Sequence, residues 1–238
     1  MAGVQKIRST ALRSDCQNNL RNLTTAIFHY ESREGRLPPG AIAGPFPPHK
    51  VPDDVNHGLW STLLGELEQP QAASAYHWDL DATDLANQAS VNTRIDTLLC
   101  PSLADGRIAP GEDGRTARVA DFAPVDVNPF LADIGEIGSS ENFEGPLPVN
   151  GMVRLVEVSD GAGCTLLIAE ASGRPGVAWS SPTIPVSIRF IRGGASHLGG
   201  ANVAFCDGSV RFLKSSTDLK LLAKLATRSG NESLGEDW

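Results

Sequence analysis

Residues 196–213 read SHLGGANVAFCDGSVRFL, and within them His197 and Asp207 are residue types that share a proton in hydrolases. An imidazole can take a proton from a nucleophile while a carboxylate holds the ring in one tautomer. Ser196 stands beside His197, so the stretch holds a nucleophile, a base and an acid. Spacing argues against that chemistry. Gly194-Ala195-Ser196-His197-Leu198 lacks the closing glycine of a nucleophile elbow, and no helical pattern follows it. Adjacent Ser196 and His197 would also point to opposite faces of a strand. Asp207-Gly208 between two apolar runs instead predicts a hairpin turn. A two-residue loop sets Phe205 opposite Val210 and Val203 opposite Phe212, with all four on one face. If 202–206 is extended, the turn lies about 16 Å from the start of the strand, at roughly 3.3 Å per residue. His197 is farther back still. His197, Asp207 and Gly208 are therefore expected to be structural, and hydrolysis through Ser196 and His197 is the least favoured alternative.

Other templates give no stronger signal. The chain carries no P-loop, His-Glu-x-x-His or dinucleotide fingerprint. His29, His49, His57 and His77 are scattered without ligand spacing, so no metal or cofactor is expected from them. Asp126, Asp133, Glu136, Glu141 and Glu144 sit in a loop-rich segment of the kind calcium favours, but without regular ligand spacing they read as a solvated acidic surface. Cys16, Cys100, Cys164 and Cys206 form no Cys-x-x-Cys pair, which argues against a zinc ribbon or a thioredoxin-like motif. Four separated cysteines allow three pairings or none.

The elements that must carry these residues begin with a long helix. Cys16, Leu20, Leu23, Ile27 and Tyr30 recur in steps of three or four after Leu12, which draws one apolar stripe. Before Leu12 the stripe thins, so the front of the helix is expected to project while its rear packs. A helix of about 30 residues is on the order of 45 Å long, more than a compact body of this size needs. Gly35 and Pro38-Pro39-Gly40 end it. A Pro-rich loop spans 38–54, and Leu59, Trp60, Leu63, Leu64 and Leu67 predict a second helix closed by Pro70. RIDTLLCPS reads as a short strand or turn, and 105–151 as long loops with short strands. GMVRLVEVSDG alternates into a turn, CTLLIAEAS reads as a buried strand and VSIRFI as another. TDLKLLAKLATRSG predicts a final helix capped by Thr217 or Asp218, with Leu221, Leu222 and Leu225 inward and Gly230 ending it. A helix followed by antiparallel strands is an α+β order.

Composition bounds the partners. The 238 residues suit one large domain, and the 41% hydrophobic content is enough for a packed core. A formal net charge of −8 lacks the positive face that phosphate neutralisation needs, so nucleic acid is not an expected partner. No apolar run reaches the roughly 18 residues of a membrane span.

Several segments together resemble a known family. CQNNLRNLTTAIFHYESREGRLPPG is similar to the opening of prepilin-type proteins whose C-terminal hallmark is His, nine residues, then Asp-Gly, a spacing met by His197 and Asp207-Gly208. LWSTLLGELEQ, LLCPS, VSDGAGCTLLIAE and LATRSGNE resemble family segments in the same order. The resemblance implies a type IV pilin-like fold, a long N-terminal helix against an antiparallel sheet, with 1–35 as a truncated stalk and 36–238 as the head. It implies that GVQKIRSTALRSD follows an apolar, membrane-inserting half that has been removed, with Met1-Ala2 an artificial start. It implies an extracytoplasmic, membrane-anchored, non-enzymatic subunit of a filament or a secretion-related pseudopilus, whose partners are other pilin-like subunits. It also implies a Cys16–Cys100 disulfide; Cys164 and Cys206 stand where the family has other residues, and two extra cysteines in two sheet segments suggest a second bridge, Cys164–Cys206. The alternative is a head that captures extracellular polysaccharide, with Trp60, Trp78 and Trp179 stacking on sugar rings.

Overall fold

The computed structural model describes residues 2–111, 114–126, 144–171, 177–182, 186–187, 191 and 197–230. Helix α1 runs from Ala2 to Glu34 and ends at Gly35, whose φ of +70° suits a residue without a Cβ. Cys16, Leu20, Leu23, Ile27 and Tyr30 are all buried, so the predicted stripe is the packed face. Residues 4–11 are exposed on every side, including Val4 and Ile7. No helix among the described residues is long and apolar enough to cross a membrane.

The stripe of α1 meets a five-stranded sheet built from β5 (Phe122–Asp126), β6 (Leu166–Glu170), β7 (Val186–Ser187), β8 (Gly200–Phe205) and β9 (Val210–Lys214). Their spatial order is β7-β5-β6-β8-β9, antiparallel except for the parallel edge pair β5–β7. Ile168, Ala204 and Cys206 share one cluster with the α1 stripe. Leu166, Ala169, Val203 and Phe205 point the other way, into a cluster closed by the C-terminal helix α5 (Leu219–Ala226). The order is α+β, as the sequence implies, with α1 and α5 on opposite faces of the sheet.

Covering both faces explains a difference in the hairpin. The structure pairs Ala204 with Val210, Val203 with Arg211 and Asn202 with Phe212. The loop is thus three residues, Cys206-Asp207-Gly208, with Gly208 at φ +84°, and not the expected two. One extra loop residue moves β9 by one place, so Phe205 and Val210 lie on opposite faces. Every residue of β8 is buried, so alternation along it cannot fix which face is which. The glycines at the entry to the strand have their own reasons. Gly199 sits at φ +87°, and a Cβ on Gly200 would lie 2.0 Å from the Leu213 carbonyl oxygen.

Around this frame the chain is mostly loops and short elements. β1 (Ala41–Ala43) and β2 (Asn56–Gly58) pair within the Pro-rich stretch. α2 is only Leu59–Thr62; Leu63, Leu64 and Leu67 are buried but continue in turns. Pro70 opens the next helix, α3 (Pro70–Ser74), instead of closing the previous one, because a helix's first residue needs no amide hydrogen. α4 (Gln88–Val91) precedes a 3₁₀ turn at Asp96–Leu98, where RIDTLLCPS places a turn and no strand. β3 (Ile108–Pro110) and β4 (Thr116–Arg118) form a small hairpin. GMVRLVEVSDG makes a 3₁₀ turn at Leu155–Glu157, not a strand. Of VSIRFI only Val186–Ser187 is a described strand, and 188–190 lies outside the described residues. Asp218 caps α5, its side chain accepting from the Lys220 amide at 2.6 Å, and the helix stops at Ala226, before Gly230. Leu222 and Leu225 are buried as expected, together with Ala223 and Ala226, whereas Leu221 is only half-buried.

Two sets of substitutions test this frame in urea melts. Ile27→Ala should cost about 2–5 kcal/mol by opening the α1–sheet core, whereas Ile7→Ala on the exposed front should stay within about 0.5 kcal/mol. Gly200→Ala should cost about 1–3 kcal/mol because backbone must move to admit the methyl group. Gly65→Ala, with nothing within 4 Å of the new Cβ, should not show that penalty.

Candidate functional site

His197 sits one turn before β8, in a bridge with Gly200. Its side chain turns inward, away from the hairpin tip, and is almost fully buried. The Nε2 atom lies 3.0 Å from Glu170 Oε1 and 3.8 Å from Cys100 Sγ, while Nδ1 lies 3.4 Å from Ser102 Oγ. Asp207 remains at the hairpin tip, where its Oδ1 accepts from the Ser209 amide at 2.8 Å. The two ends of the His-(nine residues)-Asp-Gly motif therefore do separate jobs, and Gly208 supplies the left-handed turn. Ser196 lies outside the described residues.

Three other chain segments converge on the histidine. Cys16 occupies the first fully buried position of the α1 stripe. Cys100 follows the 3₁₀ turn at 96–98 and is anchored by its own amide, which donates to Asp121 Oδ2 at 2.7 Å. Asp121 is in turn gripped by the Arg107 guanidinium on both carboxylate oxygens. Glu170 ends β6 on the α1 side of the sheet. Its Oε2 accepts from the Asn202 amide at 2.7 Å and its Oε1 from Asn202 Nδ2 at 2.9 Å. Asn202 Oδ1 then accepts from Gln17 Nε2 on α1 at 3.1 Å.

The donor atoms of Cys16, Cys100, Glu170 and His197 lie within 4.8 Å of one another, and all four residues are buried. Among the described residues these four have the types and spacing to hold a metal ion. Burial opposes charge on His197, but the hydrogen bonds to Cys100 and Glu170 outweigh it and push the imidazole up to about 9. The hydrogen bond to Cys100, with burial, pushes the Cys16 thiol far above its ordinary value.

Of the two implied disulfide pairs, the structure brings the Sγ atoms of Cys16 and Cys100 to 2.6 Å. Cys164 and Cys206 are not brought into sulfur contact. The Cys206 amide donates to the Thr165 carbonyl, so the residue facing Cys206 is Thr165 and not Cys164. Burial pushes the Cys206 thiol up, which makes it inert.

The other sequence candidates fall elsewhere. Trp60 and Trp179 are fully buried, with their indoles donating to the Phe122 and Thr93 carbonyls, and so cannot stack on a sugar. Trp78 packs between His49 and His57. Of the acidic residues, Asp133, Glu136 and Glu141 and the side chain of Asp126 lie outside the described residues, and Glu144 pairs with Arg228. Glu170, Asn202 and Ser102 are the members of the cluster that the sequence reading missed. An acid ending the apolar run LLIAE was the available signal, because a buried carboxylate needs partners.

The family described as "Protein of unknown function (DUF1559)" matches residues 5–193 and 190–220. The chain belongs to the DUF1559 family. No curated protein and no solved structure matches it. The match to DUF1559 takes in all four residues of the cluster, from α1 to the start of β8.

The shift on His197 fixes the sign of a pH effect. The folded state holds the proton more tightly than the unfolded chain, so the contribution is complete below the ordinary value of 6.5 and is lost as pH rises through about 9. With reductant and chelator present, so that the side chains titrate alone, unfolding free energy should fall across that window. His197→Gln should be less stable at pH 6 and should lack this slope in urea melts.

Proposed function

We propose that this DUF1559 chain is a non-enzymatic subunit of a pilin- or pseudopilin-like assembly, held outside the cytoplasm at a membrane and joined to its neighbours through the front of α1. The observation that carries this reading is the unequal burial along one continuous helix. Its rear stripe is locked in the core, whereas residues 4–11 stand clear of the body with Val4 at 57% and Ile7 at 72% exposure. This front makes no packing contact with the head that would bury it, so it gains from neighbours. Packing helix fronts together would cover the exposed side chains and leave the sheet-bearing heads outside. The ordered resemblance of five segments to prepilin-type proteins supports the same reading.

The enzymatic alternative draws no support from His197. Both ring nitrogens are engaged by protein groups and the side chain is turned into the core. The polysaccharide alternative loses the two tryptophans that are fully buried.

Cross-linking in the organism that makes the protein tests the reading. With Ile7→Cys in the complete gene product, a bis-maleimide should give a covalent dimer in the cell-envelope fraction. The same change at Leu85, exposed on the head, should give none. A product that stays monomeric and fractionates with the cytoplasm would reject the proposal.

A further inference from the structure

We propose that Cys16, Cys100, Glu170 and His197 form a structural zinc site that clamps α1 to the sheet, an inference independent of the assembly proposed above. Two sulfurs, one imidazole nitrogen and one carboxylate oxygen are a donor set zinc accepts in tetrahedral geometry. Thiolates disfavour calcium and magnesium, which take oxygen ligands. The donors come from α1, the 96–102 turn, the end of β6 and the approach to β8, so a single ion would tie together parts of the chain up to 181 residues apart (197 − 16).

The surroundings are those of a prepared site. Metal-bound histidines usually donate their second ring nitrogen to a nearby acceptor, which fixes the tautomer. Here Nδ1 faces Ser102 Oγ, leaving Nε2 to point at the other three donors. The Asn202 amide and side chain hold Glu170, and Asp121 holds Cys100 by its amide. The Glu170 carboxylate and the Cys100 backbone are therefore held before an ion enters. Nε2 to Oε1 at 3.0 Å and Nε2 to Cys100 Sγ at 3.8 Å are close to the edges of a zinc tetrahedron, about 3–4 Å for these bond lengths. The two sulfurs, at 2.6 Å, must spread by about 1 Å to reach the same spacing. Cys100 also borders a cleft of about 240 Å³ with Leu99, Pro101 and Arg107.

A disulfide between Cys16 and Cys100 would engage two of the four groups and leave a buried carboxylate and imidazole against it. Zinc engages all four. On binding, the two thiols and the imidazolium release their protons to solvent, the ion takes four donor electron pairs, and nothing is oxidised or reduced.

The test uses the whole 238-residue chain, purified without a metal-affinity step and with reductant present. Elemental analysis should find about one zinc per chain, and stripping it should lower the thermal midpoint. Cobalt added to the stripped protein should give the visible bands of a tetrahedral site and a thiolate-to-metal charge-transfer band. Cys16→Ser should abolish the charge-transfer signal or reduce it by about half, whereas Cys164→Ser should leave it unchanged. Ser102→Ala, which removes no ligand and sits at the edge of the site, should weaken zinc affinity by about 10–100-fold. Reduced, folded protein that takes up neither zinc nor cobalt would overturn the proposal. So would a Cys16–Cys100 disulfide, found by peptide mapping, in protein isolated from its own cells under conditions that prevent later oxidation.

Discussion

Glu170 is a carboxylate with no exposed surface, and a group of that kind must be fully matched or neutralised. The match here is made by neighbours that also define the architecture. Asn202 comes from the adjacent strand and His197 from the loop that feeds it, while Cys16 approaches from the helix. Slipping β8 by one residue would carry Asn202 to the other face and leave the carboxylate without its amide donors. The apolar stripe of α1 would accept several nearby settings on the sheet. The polar contacts from Gln17 to Asn202 and around Cys16 fix one.

That division of labour runs through the molecule. The apolar clusters on the two faces of the sheet supply most of the burial, each closed by its own helix. The directional contacts lie at one end of the α1 face, where the chain enters from four places. The Arg107–Asp121 pair extends the network by holding the 96–100 turn against the start of β5. Asp121 receives the Cys100 amide and the guanidinium through its side chain, and its backbone joins Leu98 to Ala171.

What could be read from the sequence follows the same line. The stripe Cys16, Leu20, Leu23, Ile27, Tyr30 was legible because only one face of α1 is buried, so the 3.6-residue period survives. β8 is buried on both faces, which erased the two-residue period and left the hairpin register to an assumed loop length. Leu59 to Leu67 have helical spacing, yet only one turn forms. Buried leucines can keep that spacing in successive turns, and Pro70 fits the start of a helix as well as an end. The site was visible only in fragments. His197 entered as half of a motif with Asp207, and the cysteines entered as implied pairs. Cys16 and Cys100 are 84 residues apart and His197 is 97 beyond Cys100, so their meeting is a property of the fold and not of any local spacing. Glu170 gave the faintest signal, one acid at the end of an apolar run.

The unbroken α1 helix has a mechanical consequence. A pull on its front travels along the axis, past the Arg13 guanidinium over the Phe212 ring, to the first fully buried side chain at Cys16. Beyond that point Leu20, Leu23 and Ile27 lie side by side in one packed stripe, so the load spreads over many contacts in shear instead of peeling them one at a time. The strongest directional contacts thus stand at the point where tension enters, which is the arrangement of a cleat ahead of a long glued joint.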